Sequence, residues 1–359
     1  MMGRQFENEY RQALEGLAFT DEQKASIAAG AAQAARQETR RTRRPLGKIL
    51  VIAACLTAVL AVGASAAGVL PNPAEVFAPL FGGTVAQTEV IDKIGRPIGA
   101  SDTDKGITIT ADAIMGDEYN AVVIYTISRD DGERFLPEGK TLEDISLNID
   151  GYGGIAWGKA GASGMCWFVD EDPEDSAVQY VEAMSSTGKP MEHVTATVDF
   201  RNLTYWDGET NEIVPLYKGH WKFRYEVDFE DCSVRLGSGE GKRFSQDGVE
   251  FNIDEISVSP IAVRVAYTAD KAAVWVGSDN GHVSEEDAWE SDRLTGNVEI
   301  LLTKTDGTVI DLTGAGSSIT PDYDADISHC TKGQVLDEII PLEEMESISV
   351  GGVVFPIGG

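Results

Sequence analysis

The alternation of apolar and polar residues along this chain is interrupted by one long uncharged run, the 22 residues 49–70. At roughly 1.5 Å per residue a helix of that length reaches about 33 Å, enough for the hydrocarbon core of a bilayer. Ten of the 22 are Ile, Leu or Val, and the hydroxyls of Thr57 and Ser65 can return to helix carbonyls. Upstream, Phe6, Tyr10, Ala13, Leu14 and Leu17 recur at spacings of three and four, the pattern of a short amphipathic helix. Thr20-Asp21-Glu22-Gln23 then matches a capping box and opens a second helix toward Arg36, and Pro45 interrupts it before the apolar run.

Downstream the pattern changes twice. Residues 71–100 are rich in Pro and Gly and read as a linker with one helical turn around 74–80. From there the period is two: "GITITADAI" (106–114) alternates, and "NAVVIYTIS" (120–128) is β-branched and aromatic, as a strand pair requires. Both recur as "GVEFNIDEI" (248–256) and "IAVRVAYTA" (261–269). Gly106 falls on Gly248, Asp112 on Asp254, Ile114 on Ile256, Val123 on Val265 and Tyr125-Thr126 on Tyr267-Thr268, all at an offset of 142. A period of that length predicts two related domains rather than a solenoid. Further strands are expected at "HVTATVDF" (193–200), "GHWKFRYEVDF" (219–229), "GNVEILLTK" (296–304) and "ISVGGVVFPI" (348–357). The expected fold class is mainly β: N-terminal helices, one transmembrane helix and two tandem antiparallel immunoglobulin-like β-sandwiches. The Cys…Trp…Cys spacing of antibody domains is missing, so "immunoglobulin-like" describes layering only. The expected divisions are a cytoplasmic helical segment at 1–47, a transmembrane helix at 48–70, the linker at 71–100, and sandwich domains at 101–236 and 237–359.

Charge orients this arrangement. The chain carries a formal net charge of −30, yet residues 1–48 hold nine basic against six acidic residues, leaving 20 basic against 53 acidic beyond them. Arg36, Arg40, Arg41, Arg43, Arg44 and Lys48 precede the apolar run, and the first basic residue after it is Lys93. The N-terminus is therefore expected in the cytoplasm, residues 49–70 in the lipid bilayer, and the acidic bulk outside the cell. The 14-residue stretch 49–62 followed by Ala64-Ser65-Ala66 also suits a signal peptide cleaved after Ala66; the 48-residue leader favours a retained anchor. So acidic an exterior opposes nucleic acid as a partner.

Chemistry adds little. Cys55 lies in the apolar run, which leaves Cys166, Cys232 and Cys330 for at most one disulfide. His193, His220, His282 and His329 are scattered, and no H-E-x-x-H, G-x-S-x-G or P-loop is present. Asp322, Asp324 and Asp326 resemble the start of a calcium loop, but Gly333 stands where the bidentate Glu belongs, so a solvated loop is expected there. "VDEDPEDS" (169–176) reads as another charged loop, and the glycines of "GYGGIAWG" (151–158) as a flexible one. Trp221 alternates with Phe223 and Tyr225 and is expected in a core, whereas Trp157, Trp167 and Trp206 are left open between core and binding surface. No catalytic, cofactor-binding or metal residue is predicted, and no enzyme.

The order of parts, with "GITITADAIMGDEYNAVVIYTIS" and later "GHWKFRYEVDF", resembles the bacterial membrane proteins of domain of unknown function 4179, found mainly in Gram-positive lineages. The resemblance runs over about residues 86–229, and the second unit looks like the immunoglobulin-like module that often follows. It implies a regulator of the anti-sigma-factor type, whose cytoplasmic stub binds a sigma factor and whose exported domains sense an unknown envelope ligand or protein. It supplies no catalytic residues, and the stub has neither the His nor the Cys of a zinc-type anti-sigma signature. The alternative is a membrane-tethered adhesion or cell-wall-binding protein.

Overall fold

A computed structural model describes residues 70–152, 162–186, 190, 194–227, 229–237, 242–277 and 282–358. The helices expected within 1–47, the membrane run up to residue 69, Trp157 and His193 lie outside the described residues. Among the described residues no helix is long and apolar enough to cross a membrane.

The Pro- and Gly-rich stretch is not a loose linker. It forms two helices, α1 (Pro73–Phe81) and α2 (Val85–Ile94). Asn72 caps α1 by accepting from the Ala74 amide at 3.0 Å, and Pro73 sits in the first turn, where its missing N–H costs nothing. Thr84 and Gln87 close a reciprocal capping box on α2: the Gln87 amide donates to Thr84 Oγ1 at 3.3 Å and the Thr84 amide to Gln87 Oε1 at 3.0 Å. Ala74, Phe77, Phe81, Ile91 and Ile94 point into the protein and are buried.

The remaining structure is antiparallel β. In the first half, β1 (Arg96–Asp104), β2 (Ile107–Gly116), β3 (Asn120–Arg129), β4 (Ile145–Tyr152), β5 (Ala162–Val169), β6 (Ala177–Ser186), β7 (Val194–Asp207) and β8 (Glu212–Val227) make two sheets. Their orders are β1-β2-β3-β6-β5 and β4-β7-β8. In the second half, β9 (Val234–Leu236), β10 (Arg243–Gln246), β11 (Val249–Val258), β12 (Ala262–Ala269), β13 (Ile300–Lys304), β14 (Val309–Asp311), β15 (Gly316–Asp322), β16 (Ile327–Val335), β17 (Met345–Val350) and β18 (Val353–Pro356) do the same. Here the orders are β10-β11-β12-β16-β15, with β9 added beside β11, and β14-β13-β17-β18. The helix α3 (Glu285–Ser291) runs on into one π-turn, Asp292–Gly296.

The repeat seen in the sequence is the five-strand path. Hairpins β2–β3 and β11–β12 superpose in register, each with a bulge at the matched aspartate: pairing slips between Ala111 and Ala113, and between Ile253 and Glu255. The preceding turns match as well. Lys105-Gly106 and Asp247-Gly248 both hold positive φ at two consecutive residues, the two-residue turn whose twist suits a hairpin. The facing sheets differ, with three strands in the first half and four in the second. "ISVGGVVFPI", expected as one strand, is the hairpin β17–β18 turning at Gly351-Gly352, because two glycines at positive φ reverse the chain there.

Three apolar cores result. One fills the first pair of sheets around Tyr125, Phe135, Phe200 and Trp221, and one fills the second pair around Phe251, Tyr267, Leu302 and Ile348. Trp221 is a core residue, as its alternation predicted, and donates its indole N–H to the Ile107 carbonyl at 2.9 Å. The third core lies on the outer face of the first five-stranded sheet. There α1 and α2 set Phe77, Phe81, Ile91 and Ile94 against Ala113, Met115, Val122, Ile124 and Val181, and Ile261, Ala262 and Ile339 of the second half close over them. Phe77 is fully buried, so Phe77→Ala should remove about 3–5 kcal/mol of stability. Urea unfolding of the full chain measures this; a loss under 1 kcal/mol would restore the reading of a loose linker.

Candidate functional site

The residues brought together most tightly are at the junction of the two repeats, where matched turns face each other. Asp117 opens the β2–β3 turn and accepts from the Tyr119 and Asn120 amides and from Asn120 Nδ2, each at 2.8 Å. Ser259, 142 residues on, does the same in the β11–β12 turn: its Oγ accepts from the Ile261 and Ala262 amides at 3.2 and 3.0 Å. The two caps are joined, since Ser259 Oγ donates to Asp117 Oδ2 at 2.5 Å. Both residues are buried. Burial raises the Asp117 pKa above the usual carboxylate value, while its four donors hold it down.

An ion network borders this contact. Arg235 pairs with Glu118, Arg264 Nη1 lies 3.5 Å from Glu255 Oε1, and Tyr119 donates its hydroxyl to Glu255 at 3.4 Å. The Arg264 guanidinium stacks 4.0 Å from the centre of the Tyr119 ring, which suits its planar, weakly hydrated charge. The helices complete the junction. Gln87, already the capping residue of α2, donates Nε2 to the Ile339 carbonyl at 2.9 Å, and the Ile339 amide donates to the Phe81 carbonyl at the end of α1 at 2.8 Å. One backbone unit of the second half thus meets both helices.

Two carboxyls of the first half, Asp112 buried and Glu182 half-buried, are also perturbed. Asp112, the bulge residue, accepts from Thr126 Oγ1 at 2.6 Å, and burial pushes its pKa up to about 7. Glu182 accepts from the Tyr125 hydroxyl at 3.2 Å and is likewise pushed up to about 7 by burial. The matched pair in the second repeat, Asp254 and Thr268, keeps the hydrogen bond at 2.7 Å, but Asp254 is exposed.

The residues singled out in the sequence do not converge. Asp322 accepts from the Asp324 and Ala325 amides and so shapes the β15–β16 turn, and Asp326 accepts from the Ala272 amide. In "VDEDPEDS", burial and then the neighbouring Asp175 push Asp170 up to about 6, and Asp172 and Asp175 bond to nearby amides. His220 bonds Asp199, which also meets Lys222 and Arg201 and is held down at about 2 by these partners, Lys222 first. His329 Nδ1 lies 3.4 Å from Thr268 Oγ1. Cys166, Cys232 and Cys330 are free thiols, exposed, half-buried and buried respectively. Trp167 packs edge-on to Phe81 at the third core, whereas Trp206 is exposed. Among the described residues no group of three His, Cys, Asp or Glu side chains is arranged to hold a metal.

Sequence reasoning missed the junction, although part of it was written there. Asn72-Pro73 and Thr84-x-x-Gln87 are helix-start signals, and Asp117 and Ser259 stand at the repeat offset.

Comparison with known proteins adds a family match over part of the chain. Residues 41–129 match the family described as domain of unknown function (DUF4179). The matched segment takes in the arginine-rich flank, the apolar run, α1, α2 and the first three strands, and so lies further toward the N-terminus than the 86–229 suggested by the β patterns. No curated protein matches the chain. One solved structure, described as the crystal structure of the conserved domain protein from Bacillus anthracis, shares 13% identity over 69% of this chain and 73% of its own, with a TM-score of 0.41. A likeness of that size carries no argument about function.

These two carboxyls give a signed pH dependence. Below about pH 3.8 Asp112 is neutral folded and unfolded; between 3.8 and about 7 only the unfolded chain releases the proton. Stability should therefore fall as pH rises through that window and level off above it. Asp112→Asn should flatten the fall by an amount on the order of a few kcal/mol, with Glu182 retaining the rest, read from urea unfolding at pH 5 and pH 8. Ser259→Ala, which leaves Asp117 Oδ2 without its donor, should cost about 1–3 kcal/mol in the same assay at pH 7.

Proposed function

We propose that this chain is a single-pass membrane regulator of the anti-sigma-factor type. In this reading residues 49–70 cross the bilayer, the stub at 1–47 binds a sigma factor in the cytoplasm, and the two immunoglobulin-like sandwiches stand outside as a sensor without catalytic activity. The observation that carries it is the packing of α1 and α2. The first of these helices starts within a few residues of the apolar run, and both are held, by the first sheet through Phe77 and Ile91 and by the second half through Gln87 and Ile339. A tether that merely displays a binding module needs no such grip, since a flexible linker would serve. A rigid one lets a change in how the two halves pack reach the membrane-proximal chain, which is what a two-state transmembrane signal requires. The family match spans the same parts, from the arginine flank through both helices to the end of β3.

The test uses residues 1–47 as bait in a lysate of the producing bacterium, with captured proteins identified by mass spectrometry. A sigma factor is expected. Capture of none, from cells grown with and without envelope stress, would leave the tethered-adhesin reading in its place.

A further inference from the structure

The second half carries an exposed apolar groove that none of the features above uses. One wall is the extended segment 274–277 and the other is α3. Two buried acids of the helix pin the segment: the Val274 amide donates to Glu290 at 3.2 Å, and the Val276 and Gly277 amides donate to the two oxygens of Asp287 at 2.7 and 2.9 Å. With its amides turned to the helix, the segment leaves Val274 and Val276 62% and 68% exposed, beside Trp289 at 62%. The groove holds about 420 Å³ and is lined by Val274, Glu285, Glu286, Trp289 and Glu290.

We infer that this groove docks a cationic, amphipathic peptide segment of a partner protein. Its floor is apolar and aromatic, and exposed apolar surface gathered in a groove is the usual mark of a binding face. Its rim is acidic in a particular way. Glu290 is already paired with Arg293 at 2.6 Å, whereas Glu285 and Glu286 are exposed and meet no cation among the described residues. The Trp289 ring already carries the Arg293 guanidinium at 5.0 Å, and its exposed surface offers the same cation–π attraction to a Lys or Arg from outside. A sugar fits less well. It presents hydroxyls that need donors as well as acceptors, and apart from the Trp289 indole N–H the lining side chains offer only carboxylates. The proposal stands apart from the anti-sigma reading, because binding at this groove is measured without reference to the cytoplasmic stub.

The test is calorimetric titration of the full-length chain in phosphatidylcholine nanodiscs, with empty nanodiscs subtracted. The probes are an alternating Lys/Leu octapeptide, its Glu/Leu counterpart and an N-acetylglucosamine hexamer. The Lys/Leu peptide should bind, more weakly as salt rises, and the other two should not. Trp289→Ala should weaken binding about tenfold, and Trp289→Phe should retain most of it, which separates loss of the ring from loss of the fold. Glu285→Gln with Glu286→Gln should weaken binding about fivefold. Glu138→Gln with Glu143→Gln, which removes the same charge from the first half, should leave it unchanged. Equal weakening by the two charge pairs would reduce the effect to the net charge of the protein and overturn the proposal. So would preferential binding of the oligosaccharide, or no binding of the Lys/Leu peptide at millimolar concentration.

Discussion

The arrangement depends on a sheet that is covered on both faces. A five-stranded antiparallel sheet can leave one face to water, and β11–β12 of the second half does so where Asp254 is exposed beside the half-buried Thr268. The first sheet cannot, because its outer face carries Ala113, Met115, Val122, Ile124 and Val181. Something apolar must close it. Helices α1 and α2 supply Phe77, Phe81, Ile91 and Ile94 for this, and Ile261 and Ile339 of the second half seal the edge. The hydrophobic effect acts here without direction, and the hydrogen bonds of Gln87 and Ile339 provide the register.

Because the same residues serve packing and connection, the junction is stiff in a specific way. Two turns related by the internal repeat meet through a single serine–aspartate bond, each using its own side chain to cap its own backbone. Neither group is spare: moving one turn relative to the other leaves buried acceptors without donors. The Arg264–Tyr119 stack and the Glu118–Arg235 pair sit nearer the surface and contribute orientation more than stability. The halves are therefore positioned by a few buried polar atoms inside an apolar seal. A shift of one half against the other would break these bonds, which is the property the proposed signalling role uses.

Much of this was legible in the residues themselves. The offset of 142 identified the repeated hairpin, and the Tyr-Thr and Asp positions inside it proved to be the core tyrosine, the bulge and its hydroxyl partner. The alternation in "GHWKFRYEVDF" placed Trp221 in the core. The family resemblance rested on the same β patterns, and the match begins earlier, at residue 41. Residues 71–100 were misread because Pro73, Pro79, Gly82 and Gly83 carry strong turn signals, while the competing helix signals are short and each helix is under eleven residues. Helices so short owe their existence to the face they bury, which no local pattern reveals.

The sequence by itself determined the period-two strands, the tandem repeat and the division of charge around the apolar run, because these follow from nearest-neighbour chemistry along one strand or one turn. Which face of each sheet is wet was settled by long-range packing. Asp112 and Asp254 occupy the same place in the same hairpin with the same threonine partner, yet one is buried with its pKa near 7 and the other faces solvent. The difference lies in what was folded over them. The first sheet has two helices and the edge of its neighbour on its outer face, and the residues of that cover lie between 18 (Ile94) and 227 (Ile339) positions from Asp112 in the chain.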